Sequence, residues 1–407
     1  MNQNNILSLK NISILIVSYL LSFGLSYAFY PVSQDTALVS PNAIVQEDRE
    51  TMGFKQFADK PKTEVCPTNG ALYSKEEKDL WESKRPILAM IENDIHARPQ
   101  SGLGSADIVY EALAEGGITR FMGVFYCEAQ SLTEVKVAPV RSARIYFVNL
   151  AAEYNTPVYM HVGGGNCSRD EASGQCTSNK KVWALEELQK LGWRKPGGND
   201  FDTIGDIGVP VMKRDFNRLG PDVTLATEHT YVGYLSFAWK EAQKRGFTST
   251  MSDGKTTWVS GFTPWKFDSE LAKGSPASKI SYGFWDGTPD FDVVWNYDQS
   301  SKKYLRNMGG KEHQDLETKQ QIAVTNVIIQ FTKSEGPLDE HKHMFFDVVS
   351  SGTGYYFTNG VAQEIKWKKS KQTSRTIFTD LSGKELNLTP GQFWISILPT
   401  GNKVVYN

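Results

Sequence analysis

Between residues 86 and 162 the apolar positions of this chain fall into short runs bounded by turn residues. Pro86–Ile91 reads as a buried strand. Ile108–Ala114 and Ile118–Tyr126 read as two strands joined by Gly116-Gly117, a pair suited to a two-residue hairpin turn. Pro157–Val162 is another strand, ended by Gly163-Gly164-Gly165. Ser142 is the expected N-cap of a helix over roughly residues 143–154. Val182–Leu191 and Tyr231–Arg245 have helical spacing. After about residue 250, short aromatic strands alternate with turns, which predicts a β-rich second unit.

The N-terminus has a different pattern. Ile12–Tyr30 is a run of 19 residues without a charge. As a helix it would span about 28 Å, close to the thickness of a bilayer core. Lys10 precedes it and Asp35, Glu47 and Asp48 follow, which places the N-terminus in the cytoplasm and the body outside. Ser26-Tyr27-Ala28 also fits a signal-peptidase site, so residues 1–30 read as a signal anchor or a signal peptide. The membrane is thus an expected partner through residues 12–30. Residues 31–63 are polar and without period, a linker.

The cysteines agree with export. Cys66, Cys127, Cys167 and Cys176 are an even count, as two disulfides require. A Cys167–Cys176 bridge would be worth about 2.7 kcal/mol and a Cys66–Cys127 bridge about 4 kcal/mol by loop entropy. Zinc is the weaker reading, because no C-x2-C spacing occurs, and no metal is expected. The formal charge of −2 gives no pull toward nucleic acid.

Candidate chemistry concentrates in residues 97–144. With a plain Gly116-Gly117 turn, Leu113 faces Arg120 and Glu111 faces Met122. Asp107, Glu111, Glu115 and Arg120 then share one hairpin face. That face is either a solvent surface with cross-strand ion pairs or a carboxylate cluster able to divide acid and base roles. Arg141, Ser142 and Arg144 sit at the expected helix start, where anions are favoured. Their alternative is internal pairing. His161 ends a strand before three glycines; His229 and His313 are comparable weaker signals. Lys366, Lys368, Lys369, Lys371 and Arg375 surround Trp367 and read first as a solvated hairpin. Trp258, Trp265, Trp285 and Trp295 read first as core rather than as a sugar platform. There is no G-x-S-x-G, H-E-x-x-H or P-loop, and no cofactor is expected.

The segments ARPQSGL, ADIVYEALAEGGITRF, PVRSAR and HVGG, followed by His313-x-Asp315 and Asn326–Gln330, resemble the YerB-like bacterial lipoprotein family. The resemblance covers about residues 64–400 and is looser in the C-terminal part. It implies a body outside the cytoplasmic membrane, a mixed α+β fold of layered sheets plus helices, and no established reaction. The family's motif positions include Arg98, Pro99, Gln100, Asp107, Glu111, Glu115, Thr119, Arg120, Pro139, Arg141, Ser142, Arg144 and His161. Members resemble lipoproteins with a cysteine at the cleavage site; here no cysteine precedes Cys66.

The expectation is therefore an α+β, β-β-α sandwich-like protein. It has an α+β domain over residues 64–250 and a β-rich domain over 251–407. Functionally, the first expectation is an exported, membrane-anchored envelope protein that binds a cell-wall fragment, phosphorylated polymer or acidic peptide. Arg98, Arg120, Arg141, Ser142, Arg144 and His161 would hold the ligand. The alternatives are an envelope hydrolase using Asp107, Glu111 and Glu115, and a structural interaction module.

Overall fold

A computed structural model describes residues 57, 59–130, 132–169, 173–269 and 273–407. The apolar run at 12–30 and most of the expected linker lie outside the described residues. Among the described residues no helix is long and apolar enough to cross a membrane.

The principal strands, in chain order, begin with β1 (Ile87–Glu92), β2 (Ile108–Glu115), β3 (Ile118–Phe125), β4 (Val158–His161) and β5 (Asp200–Asp202). Beyond residue 250 they continue with β6 (Ser275–Pro276), β7 (Lys279–Tyr282), β8 (Val293–Asp298) and β9 (Lys303–Met308). The last are β10 (Asn326–Thr332), β11 (Ser351–Thr358), β12 (Val361–Lys368), β13 (Ile377–Thr379), β14 (Phe393–Pro399) and β15 (Val404–Tyr406). Among the described residues the α-helices are α1 (Lys75–Trp81), α2 (Cys127–Gln130), α3 (Ile145–Ala151), α4 (Ala184–Lys190) and α5 (Leu235–Lys244).

One central sheet runs β6-β12-β11-β10-β14-β2-β3-β1-β4-β5, with β13 beside β12. It draws strands from both sides of residue 250, joined where β14 pairs in parallel with β2. A smaller sheet carries β9-β8-β7-β15. It packs on one face of the central sheet, where Trp295 meets Trp394 at 5.6 Å between ring centroids. The turn after α3 lies against the other face, where the Tyr110 and Tyr154 hydroxyls are 2.9 Å apart. These layers make the β-β-α arrangement.

This layering explains why the hairpin does not have a solvent face. β2 lies between β14 and β3, and seven of its eight residues are buried. Gly116 and Gly117 do form the turn, with φ of 54° and 90°, as a two-residue hairpin needs. The register, however, shifts between Leu113 and Glu115. Ala112, not Leu113, is opposite Arg120, and Phe121 is opposite Glu111. One extra residue in β2 turns the following side chain to the other face. The Ala114 carbonyl, displaced from the ladder, accepts from the Met344 N–H at 3.1 Å. The expected single face is thus corrected: Glu111 faces the small sheet, whereas Glu115 and Arg120 face the helical side.

Two helix starts also differ. The N-cap of α3 is Arg144, without a side-chain cap, and not Ser142. Residues 139–143 instead run extended beside β1 and β4: the Arg141 N–H donates to the Met90 carbonyl and the Val162 N–H to the Arg141 carbonyl. Tyr231–Tyr234 is a strand, and α5 begins only at Leu235. The strand pairing of Gly233 with both Val137 and Met212 overrides the helical spacing there. The cysteines pair as Cys66–Cys127 and Cys167–Cys176.

Candidate functional site

Glu111 belongs to a closed, buried hydrogen-bond ring. Arg306, on β9, donates through Nη2 to both Glu111 oxygens at 3.1 and 2.9 Å, and through Nε to His313 Nδ1 at 2.9 Å. His313 Nε2 then donates to Gln100 Oε1 at 2.9 Å, and Gln100 Nε2 to Asn93 Oδ1 at 2.9 Å. Asn93 Nδ2 donates to Thr119 Oγ1 at 2.6 Å, and Thr119 donates to Glu111 Oε1 at 2.9 Å. The ring starts at a double donor, Arg306, and ends at a double acceptor, Glu111. Burial raises the Glu111 carboxyl, opposed chiefly by Arg306; burial with the Arg306 charge lowers His313 well below its usual value. A neutral His313 is what its one donated and one accepted bond require. The Arg306 guanidinium lies 4.2 Å from the Trp394 ring centroid and has no exposed surface. Arg98 joins the ring at its edge, donating through Nε to Asn93 Oδ1 at 3.1 Å, and burial lowers it to about 10.

Asp107 is apart from this ring. Its Oδ2 accepts from Thr68 Oγ1 at 2.8 Å and from the Cys127 N–H at 2.9 Å. Its Oδ1 accepts from Asn69 Nδ2 at 3.1 Å and the Glu128 N–H at 3.0 Å. It therefore holds the start of α2 and the segment around Cys66. Burial pushes its carboxyl up to about 7, against those donors. Cys66, Asp107 and Cys127 are close enough together to hold a metal, but both sulfurs are in a disulfide. The three candidate carboxylates are thus not brought together, and only Glu115 keeps exposed surface.

Glu115 is the start of a different arrangement. Strands β10, β14, β2, β1, β4 and β5 all run in one direction, so Thr332, Pro399, Glu115, Glu92, His161 and Asp202 lie along one edge of the sheet. Carboxyl ends of parallel strands are the usual place for ligands in such sheets. Glu115 pairs with Arg120 at 2.5 Å through Oε1 and with Arg144 at 2.5 Å through Oε2. Arg120 Nη1 also donates to the Ser142 carbonyl at 3.0 Å. Arg141 pairs with Glu92 at 3.0 Å, and Glu92 also meets His229 Nδ1 at 2.8 Å. Glu92 and Arg120 are direct cross-strand partners, which joins the two groups into one array. Burial raises the Glu115 carboxyl, but the Arg120 and Arg144 charges outweigh it and hold it at about 2. Three guanidiniums therefore face two carboxylates. The buried Nε groups of Arg120 and Arg144 have no hydrogen-bond partner among the described residues. Arg141 is the open member, with 25% of its side chain exposed.

His161, on the same edge, is fully buried. Its Nδ1 donates to the Gly163 carbonyl at 2.7 Å, and its Nε2 meets Asp200. Burial opposes its charge, but Asp200 raises it above its usual value, as two donating ring nitrogens require. Arg194 completes this cluster against Asp200 and Asp202 at 2.7 and 2.9 Å. His161 therefore has a closed set of partners and is not part of the open array.

The basic cluster around Trp367 is not wholly solvated. Lys369 and Arg375 are buried and pair with Glu153 at 3.1 and 3.0 Å. Trp258, Trp265 and Trp295 are core, whereas Trp285 is 38% exposed. Sequence reasoning missed Glu92, although a carboxylate closing the run Ile87–Ile91 is an available signal. It also missed Arg306 and Glu153, for which the local sequence has no signal, because their partners are far along the chain.

Residues 71–200 match the family model described as "Protein of unknown function (DUF3048) N-terminal domain", and residues 281–395 match the model of its C-terminal domain. The "Putative lipoprotein YerB" of Bacillus subtilis is 30% identical over 316 residues, 78% of this chain and 82% of that protein. A crystal structure of YerB from Bacillus subtilis matches with a TM-score of 0.61 at 25% identity, over 84% of this chain and 100% of that one.

Proposed function

The chain belongs to the DUF3048 family, and from that premise we propose that it is an extracytoplasmic, membrane-attached envelope protein that binds an anionic ligand at the sheet's carboxyl edge. The location is supported by the lipoprotein description of the relative and by the apolar run at residues 12–30. The ligand reading rests on one observation: among the described residues, Arg120, Arg141 and Arg144 pair with two carboxylates, Glu92 and Glu115, their other partners being the carbonyls of Ser142, Glu228 and Ala143, and Arg141 is a quarter exposed. A carboxylate or phosphate beside Arg141 would balance the excess positive charge and gain charge-assisted hydrogen bonds. Glu115 stays ionised at neutral pH, so the array keeps its geometry there.

Calorimetric titration of the full-length protein with a disaccharide-peptide wall fragment and with poly(glycerol phosphate) tests this. At least one should bind, and Arg141→Ala should weaken it about tenfold or more, about 1.4 kcal/mol. Arg141 is a quarter exposed and pairs with the buried Glu92, so the variant should lose some stability, and thermal unfolding checks that it is folded at the titration temperature. Equal affinity of the variant and the natural protein would remove the array from the function.

A further inference from the structure

A second feature of the same sheet edge concerns what kind of anion this is. Where β10 and β14 end, a shallow groove of about 420 Å³ is lined by Phe331, Thr353, Tyr355 and the turn from Thr400 to Val405. That volume is within the range of small-molecule sites. Two lining rings, Phe331 and Tyr355, meet edge to face at 6.0 Å, and Tyr406, just outside the lining, packs on Tyr355 at 5.5 Å. All three rings are only partly buried. The rim is polar. Thr353, Thr400 and Lys403 are exposed. Among the described residues, the hydroxyls of Thr353, Tyr355 and Thr400 and the ammonium of Lys403 make no hydrogen bond, although Tyr406 and Glu364 act electrostatically on Tyr355.

The groove connects to the hairpin of Glu115. Asn402 Nδ2 donates to the Gly283 and Phe284 carbonyls at 2.9 and 3.2 Å, which fixes the groove's turn to the segment that leads into Trp285. Trp285 is 38% exposed and reaches the hairpin turn: a Cβ on Gly117 would lie 3.6 Å from its ring. Two residues before Gly117, Glu115 enters the arginine array. The groove opens on the small-sheet side of this edge and the arginine array on the helical side, so a chain that reaches both crosses the edge at the exposed Trp285 and the hairpin turn.

We propose that the groove is a saccharide subsite and that the ligand is an acidic polysaccharide chain lying along this edge. Partly exposed rings supply faces for the C–H side of sugar rings, and hydroxyls free of internal hydrogen bonds supply hydrogen bonds to sugar hydroxyls. Lys403 at one end and the arginines at the other complement negative charge on the sugars. A lone lysine in the groove is too little charge for a nucleic-acid backbone, and the polar rim is unsuited to a bilayer. The polymer assignment rests on the anion-binding reading of the array, while the groove itself is independent of it.

The test uses the full-length protein and two probes: peptide-free glycan strands of alternating N-acetylglucosamine and N-acetylmuramic acid, and neutral N-acetylglucosamine tetramer. Tyr355→Ala should weaken both probes about tenfold. Lys403→Ala and Arg141→Ala should weaken the acidic strand more than the neutral tetramer. Lys403 is exposed, so its variant guards against a folding defect in the Tyr355 variant. If neither probe binds, or if Tyr355→Ala and Lys403→Ala bind like the natural protein, the groove proposal is overturned. If those two variants lose affinity while Arg141→Ala does not, the groove stands and the array reading falls.

Discussion

Glu115 is held as an anion by two guanidiniums, and this ties the stability of the protein to pH. Its usual value of 4.5 is lowered in the folded chain to about 2. The unfolded chain therefore binds the proton first as pH falls. The stabilisation is complete above about pH 5 and is lost as pH drops through 4.5 toward 2. Its size is on the order of 3 kcal/mol, since each pKa unit corresponds to about 1.4 kcal/mol. Urea unfolding between pH 6 and pH 2.5 should show this loss, and Glu115→Gln should flatten the curve over that window. An identical acid slope in the variant would mean that other carboxylates carry the effect. At this scale the sequence singled out Glu115, Arg120 and Arg144 and offered ion pairing as one reading, but not that Glu115 takes both arginines. The chain between them, residues 121–143, had to be placed by strands with which neither end is in contact along the sequence.

The elements show where periodicity was enough and where it was not. Short apolar runs located β1, β2, β3 and β4 to within about two residues, because a strand buried on both faces has no polar alternation to confuse with a helix. The bulge in β2 escaped, since Leu113 and Ala114 are equally apolar and either suits a ladder position. That single extra residue separates Glu111 from Glu115 and so removes the expected carboxylate face. The turn beyond it is more strictly specified. Gly117 has φ of 90°, and a Cβ there would lie 2.7 Å from Thr288 Cγ2. Gly117→Ala should therefore cost about 1–2 kcal/mol for the left-handed backbone, and more for the contact with Thr288. Gly116→Asn should be nearly neutral, because its φ of 54° suits asparagine and only the flexible Lys342 side chain is near. Denaturant midpoints of the two variants check this. Equal losses would show that the turn conformation is not the source.

On the scale of the whole molecule, the sequence suggested two units meeting near residue 250, and the change of character there is real. What it could not reveal is that the central sheet continues across that point. The pairing of β14 with β2 and the ring from Glu111 to Arg306 join residues more than 190 positions apart. Such contacts leave no mark in local composition. They make a specific demand on unfolding. Arg306 is fully buried, and Glu111 is the carboxylate that pairs with it. Glu111→Gln leaves that cation uncompensated and should cost about 3–5 kcal/mol. Because the ring lies between the central and the small sheet, the loss should act on both parts of the chain together. Tryptophan fluorescence and far-ultraviolet circular dichroism should then report one coincident urea transition, before and after the substitution, with the whole curve displaced. Two separate transitions, with only one displaced by Glu111→Gln, would show that the segments fold apart and that the buried ring only docks them.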